Sequence, residues 1–368
     1  MIPFLLVLLT IILASITWYL VHPQFGKSAS GARKIAMESS PHFRDGKFQN
    51  LSHTPDFSED YTFWQVMYKF LFEPAPRRKP IDPIPSVKID LFTLSAETDL
   101  LIWFGHSSYY LQVKGKRILV DPVFSGQASP IPGTNPAFRG SDQYTPDDFP
   151  EIDLLLLTHD HYDHADYRTL QQLRDRCVKT CCGLGVGAHL EHWGFAPASI
   201  TELDWYQSTE PFPGITLSAE PSRHFSGRGF SRNVTLWLSF VLKTDGLQLY
   251  IGGDSGYDSH FADIGKRHGA FDLVLLDNGQ YNKMWQAIHM LPEEVLQAAR
   301  DLGAKRLMPV HSAKFAMAKH PWDEPLASIT ALNAQLPEPL PLLTPRIGEP
   351  VHLRDTGQTF TRWWEGLR

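Results

Sequence analysis

The chain has 368 residues, which is enough for one large domain or for two ordinary ones. Its hydrophobic content of 43% and aromatic content of 12% exclude a wholly disordered chain. The net charge is only −6 and no long basic run appears, which argues against nucleic acid as the main partner.

The amino terminus differs in composition from the rest of the chain. Residues 3–21 carry no charged side chain, and a helix of this length could cross roughly 30 Å of hydrocarbon. The sequence therefore predicts a transmembrane anchor at 1–22, which would make the membrane a partner of the protein. A cleaved signal peptide is the alternative, but a basic n-region is missing and no clean cleavage site follows.

The charges around this segment predict where the remaining chain lies. Lys27, Arg33 and Lys34 follow the segment, whereas only the terminal amine precedes it. By the positive-inside rule, the bulk of the protein would then lie in the cytoplasm behind a single-pass anchor. A periplasmic catalytic domain is the alternative.

Residues 23–85 are polar and are predicted to form an extension and linker. Within them, the aromatic-rich segment 60–72 is typical of a short amphipathic helix, which would pack on the main domain or lie against a membrane surface. Its aromatic residues and Trp285 could line an apolar substrate groove, but a role in the core is the more common one for such residues. The Pro-rich stretch 74–85 ends any helix.

Short apolar runs separated by turns begin near residue 86 and predict one catalytic domain over 86–368. Two strand pairs turn at Lys114-Gly115 and at Asp245-Gly246. Further strands are predicted at 152–158, 273–277 and 306–310, and a helix at 292–303. Strand pairs followed by alternating strands and helices indicate a layered α/β sandwich.

Four potential metal ligands follow the buried strand at 152–158: His159, His161, Asp163 and His164. Because side chains alternate along an extended chain, the first two histidines can face the same cation. The aspartate and the last histidine lie on the next turn and can reach a second cation. Four such ligands within six positions are more than packing requires, so the segment predicts a metal site.

Three more candidate ligands follow other predicted strands: His224, Asp254 and His311. The carboxyl ends of strands are where open α/β architectures gather their ligands. The sequence therefore predicts that these side chains complete a two-metal site.

The spacing HxHxDH, followed by a histidine, an aspartate and a histidine, resembles the metallo-β-lactamase superfamily over about residues 98–315. The segments WFGHSSYYL, ILVDPVFS, GVGAHLEHWG and HMLPEEV are similar to one branch of it. That branch includes N-acylphosphatidylethanolamine-hydrolysing phospholipase D and the bacterial ascorbate-6-phosphate lactonase. The resemblance implies a four-layer αββα sandwich behind the expected transmembrane anchor.

The resemblance also implies a role for each ligand. The first metal would be held by His159, His161 and His224, the second by Asp163, His164 and His311, with Asp254 bridging both. No cysteine falls at a ligand position, which argues against antibiotic hydrolysis. A shell of histidines and aspartates suits Zn²⁺, with Mn²⁺ or iron as alternatives.

Catalytic roles are expected for three residues: Asp163, Asp254 and His289. Two metals would share a water and lower its pKa, and the resulting hydroxide would attack phosphorus or a carbonyl carbon. Asp254 would anchor the geometry, Asp163 would orient the hydroxide, and His289 would donate a proton to a phosphate oxygen or leaving group. His106 and Asp121 are predicted to orient the metal ligands through hydrogen bonds.

These patterns favour a phosphodiesterase acting on a phospholipid-like or other phosphodiester substrate. A lactonase, or another ester or amide hydrolase of a small metabolite, would use the same site and is the main alternative. A scaffold that binds metal only for stability is disfavoured, because structural metal sites lack an open coordination position.

Overall fold

The computed structural model of the chain describes residues 2–229 and 231–368. Within these residues, a seven-stranded and a six-stranded sheet contribute to one continuous buried core. The first sheet runs, in spatial order, β15 (Pro350–His352), β3 (Leu100–Trp103), β4 (Tyr109–Val113), β5 (Lys116–Val120), β6 (Ile152–Leu157), β7 (Cys177–Gly183) and β8 (Ile200–Leu203). The second runs β14 (Leu307–Val310), β13 (Leu273–Asp277), β12 (Leu247–Ile251), β11 (Ser239–Thr244), β10 (Ile215–Glu220) and β9 (Ser208–Phe212). A small hairpin, β1 (Phe43–Arg44) and β2 (Lys47–Phe48), precedes both sheets.

Each sheet combines antiparallel hairpins with parallel crossovers. Strands β3, β4 and β5 pair antiparallel, whereas β5 to β8 are parallel. In the second sheet β9 to β12 pair antiparallel, whereas β12, β13 and β14 are parallel. The parallel strands bring their carboxyl ends to one edge of each sheet.

Helices flank the two sheets. They are α1 (Ile2–Leu20), α2 (Gly31–Glu38), α3 (Phe63–Phe72), α4 (Tyr167–Leu173), α5 (Val186–His192), α6 (His260–His268), α7 (Pro292–Asp301) and α8 (Glu324–Asn333). Along β12, Leu249 faces the core between the sheets, whereas its neighbour Tyr250 packs with side chains of α6 and α7. Along β6, Leu156 faces that core and Leu155 packs under α4 and α5. This alternation produces four layers, and the fold agrees with the expected αββα sandwich.

The expected transmembrane anchor at 1–22 is wrong. A helix does form there, α1 (Ile2–Leu20), but across the described ranges no helix is both long and apolar enough to cross a membrane. The expectation rested on the length of the uncharged run at 3–21, which includes polar positions such as Thr10 and Thr17. The expected single-pass location is therefore wrong as well. The cytoplasmic orientation, which was inferred from the flanking lysines and arginine, depended on that anchor.

The segment that follows α1 packs against the sandwich. Met37 of α2 and Phe48 of β2 are buried and belong to the core between the sheets. Helix α3 begins at Thr62, where the Thr62 hydroxyl and the Gln65 side chain form a reciprocal capping box. The Lys319 ammonium holds the other end of this helix by donating to the carbonyls of Lys69 and Glu73.

Candidate metal centre

The predicted ligands gather at one edge of the two sheets. His159 comes two residues after β6, Asp254 three residues after β12, and His311 directly after β14. His224 lies in the loop after β10. All four side chains are at most 3% exposed, so their polar atoms need partners within the protein or in bound ions.

Three histidines form the first group of potential ligands. The Nε2 atom of His159 lies 2.9 Å, and that of His224 3.3 Å, from Nδ1 of His161. Burial lowers the pKa of all three imidazoles, with neighbouring histidines adding to the effect on His159. Neutral imidazoles have a nitrogen lone pair each, and three of them turned towards one point suit a metal cation.

A second group lies beside the first and contains His106, Asp163, His164 and His311. The Nε2 atom of His164 is 3.5 Å from Oδ2 of Asp163, and the ring planes of His164 and His311 are stacked with centroids 5.4 Å apart. Oδ2 of Asp163 also accepts a hydrogen bond from His106 at 2.8 Å. This pairing is the one expected of His106 as a support of a metal ligand.

Asp254 lies between the two groups. Its Oδ2 atom is 3.8 Å from Nε2 of both His159 and His224, and 3.2 Å from Nε2 of His164. Burial alone would raise the pKa of this carboxyl, but His164 and His311 outweigh it and hold the pKa well below its usual range. The carboxylate is therefore favoured in its ionised form and lies between the two groups of potential ligands.

Several atoms of this cluster are buried without a hydrogen-bond partner among the described residues. Those that belong to the expected ligands are Nε2 of His164, Nε2 of His311 and Oδ1 of Asp254. A buried polar atom that is left unpaired costs roughly 1–3 kcal/mol, so three of them in one cluster are a substantial penalty. Bound cations would remove that penalty, and the residues therefore fit the expected metal site.

Hydrogen bonds from outside the cluster fix which nitrogen of each histidine faces inward. His164 Nδ1 lies 2.8 Å from Oδ2 of Asp121, and His224 Nδ1 lies 3.0 Å from the carbonyl of Ile288. Because both partners accept, both Nδ1 atoms carry a proton, and in the neutral imidazole of each residue Nε2 is the nitrogen with the lone pair. Asp121 thus has the orienting contact that the sequence predicted for it.

His289 lies at the wall of the site and is paired with an aspartate that the sequence pattern missed. Its Nδ1 atom is 2.7 Å from Oδ2 of Asp277, which is completely buried at the carboxyl end of β13. Burial raises the pKa of Asp277 to about 7, while the nearby carboxylate outweighs burial and raises the pKa of His289. The signal in the sequence was an aspartate ending the apolar run LVLLD.

A pocket with a cavity volume of about 340 Å³ opens directly onto His161, Asp163, His224, Asp254 and His289. Its apolar walls are Phe57, Phe70, Phe225, Trp285, Ile288 and Met317. Arg232 and Asp56 also line it and form an ion pair at 2.9 Å. Phe70 belongs to α3, so that both this helix and Trp285 contribute apolar walls to the pocket.

The sequence profile of the β-lactamase superfamily domain matches residues 116–312. The chain belongs to the metallo-β-lactamase superfamily. An uncharacterized protein of Mycobacterium tuberculosis is 37% identical over 362 residues, which cover 96% of each chain. The N-acyl-phosphatidylethanolamine-hydrolyzing phospholipase D 1 of Caenorhabditis elegans is 27% identical over 253 residues, covering 64% of this chain and 69% of that protein.

Among solved structures, the metallo hydrolase Igni18 of Ignicoccus hospitalis covers 69% of this chain and 97% of its own, with a TM-score of 0.51. At 21% identity this likeness concerns the fold alone. Superfamily membership and the buried histidine and aspartate cluster together identify the protein as a metal-dependent hydrolase.

Proposed function

We propose that the protein hydrolyses a phosphodiester that carries an apolar group. The observation behind this proposal is the position of the metal-binding cluster at the base of a pocket with six apolar side chains in its walls. A phosphodiester contributes the anionic centre that divalent cations attract, and its apolar substituent would be buried against the walls. The phospholipase D name of the C. elegans relative supports the same substrate class.

We assign two ions to the cluster, with Zn²⁺ as the preferred metal. His159, His161 and His224 would hold one ion, and Asp163, His164 and His311 the other, with Asp254 between them. Bound divalent ions supply a water of lowered pKa and neutralise the charge that develops on a phosphoryl group. Because every donor is a histidine nitrogen or a carboxylate oxygen, the set suits zinc and is compatible with manganese or iron.

His289 and its partner would act on the leaving group. The hydrogen bond to Asp277 leaves Nδ1 protonated and fixes the ring, so that Nε2 is the nitrogen free to donate a proton to the departing oxygen. Arg232 now pairs with Asp56, and it would bind the phosphate of the substrate in place of that carboxylate.

The test uses the full chain loaded with Zn²⁺. We expect hydrolysis of bis(p-nitrophenyl) phosphate, and faster hydrolysis when one ester carries a long alkyl chain. Asp254→Ala should abolish both activities, because the two ligand groups lose the carboxylate between them. Turnover of a lactone panel without turnover of any phosphodiester would contradict the proposal and favour the lactonase or ester hydrolase.

A further inference from the structure

One buried arginine donates hydrogen bonds to the backbone of the loop that carries four of the candidate ligands. Arg228 is 3% exposed, and its Nη1 atom donates to the carbonyls of Asp160 and Ala165, both at 2.7 Å. These two carbonyls flank the stretch that includes His161, Asp163 and His164. A single guanidinium therefore ties together the two ends of the ligand loop.

The same guanidinium is fixed on its faces by two aromatic rings. Its central carbon lies 4.2 Å from the ring centre of Tyr162 and 4.8 Å from that of Trp193. The Tyr162 hydroxyl in turn donates to the carbonyl of Arg228. Because the rings restrict the movement of the guanidinium, its hydrogen bonds favour one conformation of the loop.

The Asp160 side chain supplies a second connection between the ligand loop and its support. This residue stands between two candidate ligands but points away from them. Its carboxylate accepts from the Gly227 amide at 2.7 Å, from the Thr235 hydroxyl at 2.8 Å and from Nε2 of His189 at 3.3 Å. These three donors compensate the completely buried carboxylate for the hydration that it has lost.

The chain just after α1 completes this support. The Lys27 amide donates to Nδ1 of His189 at 2.8 Å, which leaves the proton of that imidazole on Nε2 and directs it to Asp160. The carbonyl of Gln24 accepts from Nε of Arg228 at 2.9 Å. The fit is close, because a Cβ atom at Gly26 would lie 2.2 Å from the His189 ring.

We propose that Arg228 is a positioning residue for the metal centre, and that the segment 23–27 is part of the same support although it lies far outside the matched domain. Arg228 touches no candidate ligand side chain. It acts through the backbone of the loop, whose conformation decides whether the ligand nitrogens and oxygens meet. The inference rests on the proposed binding of metal by that loop.

The test compares two conservative variants of the full chain, Arg228→Lys and Arg306→Lys. Arg306 is a matched control, because it is also 3% exposed and donates to three backbone carbonyls, those of Asp272, Leu353 and Asp355. It precedes β14 and so lies at the end of that strand opposite to His311. Both variants lose buried hydrogen bonds, but only one loses bonds to the ligand loop.

We expect Arg228→Lys to lower the affinity for Zn²⁺, measured by competition with a chromophoric chelator, by about 10- to 100-fold. The visible absorption of the Co²⁺-loaded protein should change in the same variant, because that absorption reports ligand geometry. Arg306→Lys should keep the wild-type metal affinity and spectrum even where its melting temperature falls. Equal affinities and spectra in the two variants would refute the proposal.

Gly26→Ala tests the contribution of the amino-terminal segment and remains informative if Arg228→Lys does not fold. The added methyl group pushes 23–27 away from His189 without altering any residue of the ligand loop. We expect a weaker but parallel loss of Zn²⁺ affinity, and an unchanged affinity would exclude the segment from the support. If wild-type protein itself binds no metal, the proposed function fails instead, so the two failures are distinguishable.

Discussion

Replacing Asp121 by asparagine tests how the histidine ligands are oriented. The Asp121 carboxylate accepts from the Thr158 amide at 2.9 Å, from the Thr158 hydroxyl at 2.6 Å and from His164 Nδ1 at 2.8 Å. An asparagine has only one accepting oxygen. If that oxygen stays with the amide, the NH₂ group faces His164, which must then accept at Nδ1 and carry its proton on Nε2.

That tautomer blocks the nitrogen on which metal binding depends. If the asparagine flips instead, its NH₂ group faces the Thr158 amide and two donors meet in a buried place. Either outcome opposes binding, and losing such an orienting partner typically weakens metal affinity by about 10- to 100-fold. This corresponds to roughly 1.4–2.7 kcal/mol of metal-binding free energy.

Chelator competition on the full chain measures this affinity. Asp272→Asn is the control, because Asp272 also accepts from a backbone amide, that of Gln248 at 2.8 Å, but lies at the opposite end of β13 from the site. We expect the control to bind Zn²⁺ as the wild type does. An Asp121→Asn variant with wild-type affinity would refute the reasoning that this hydrogen bond selects the tautomer of His164.

Three further predictions concern other parts of the molecule. Asp277→Asn should lower kcat more for an alkyl than for a p-nitrophenyl leaving group, because only the alkoxide needs a proton from His289; equal losses would contradict this role. Arg232→Gln should raise KM for anionic substrates and leave KM for neutral esters unchanged. Burial lowers the pKa of His260 to about 4. Between about pH 6.5 and pH 4 this imidazole is therefore protonated in the unfolded chain but neutral in the folded one. The free energy of unfolding should then decrease as the pH falls through this range, by up to about 3 kcal/mol. Denaturant unfolding of His260→Gln should show a flatter dependence on pH than the wild type.

The sequence allowed part of the fold and part of the cluster to be predicted on physical grounds. Ligands that follow parallel strands of one sheet lie at the same edge of it, so Asp254 and His311 could be grouped without knowing any tertiary contact. His159 follows a strand of the other sheet, and its place beside them was implied by the resemblance to the superfamily. The alternation of strands and helices predicted only a layered α/β sandwich. The four-layer αββα arrangement was implied by the resemblance to the superfamily.

The partners of those ligands could not be predicted in this way. Asp277 pairs with His289, and Arg228 with the backbone at Asp160, through contacts between residues far apart in the chain. Such pairings depend on the packing of loops, which leaves no periodic signal in the sequence. The error at 1–22 has a different origin, since a long run without charge was taken as sufficient evidence for a membrane span.

Metal content per chain is the most direct test of the central claim. It should be measured by elemental analysis on purified full-length protein, beside Asp254→Ala and the control Asp272→Asn. We expect about two Zn²⁺ ions in the wild type and in the control, and fewer in Asp254→Ala, together with loss of phosphodiester hydrolysis. Less than one ion per wild-type chain after reconstitution with Zn²⁺, Mn²⁺ and Fe²⁺ would contradict the assignment of this cluster as a metal centre.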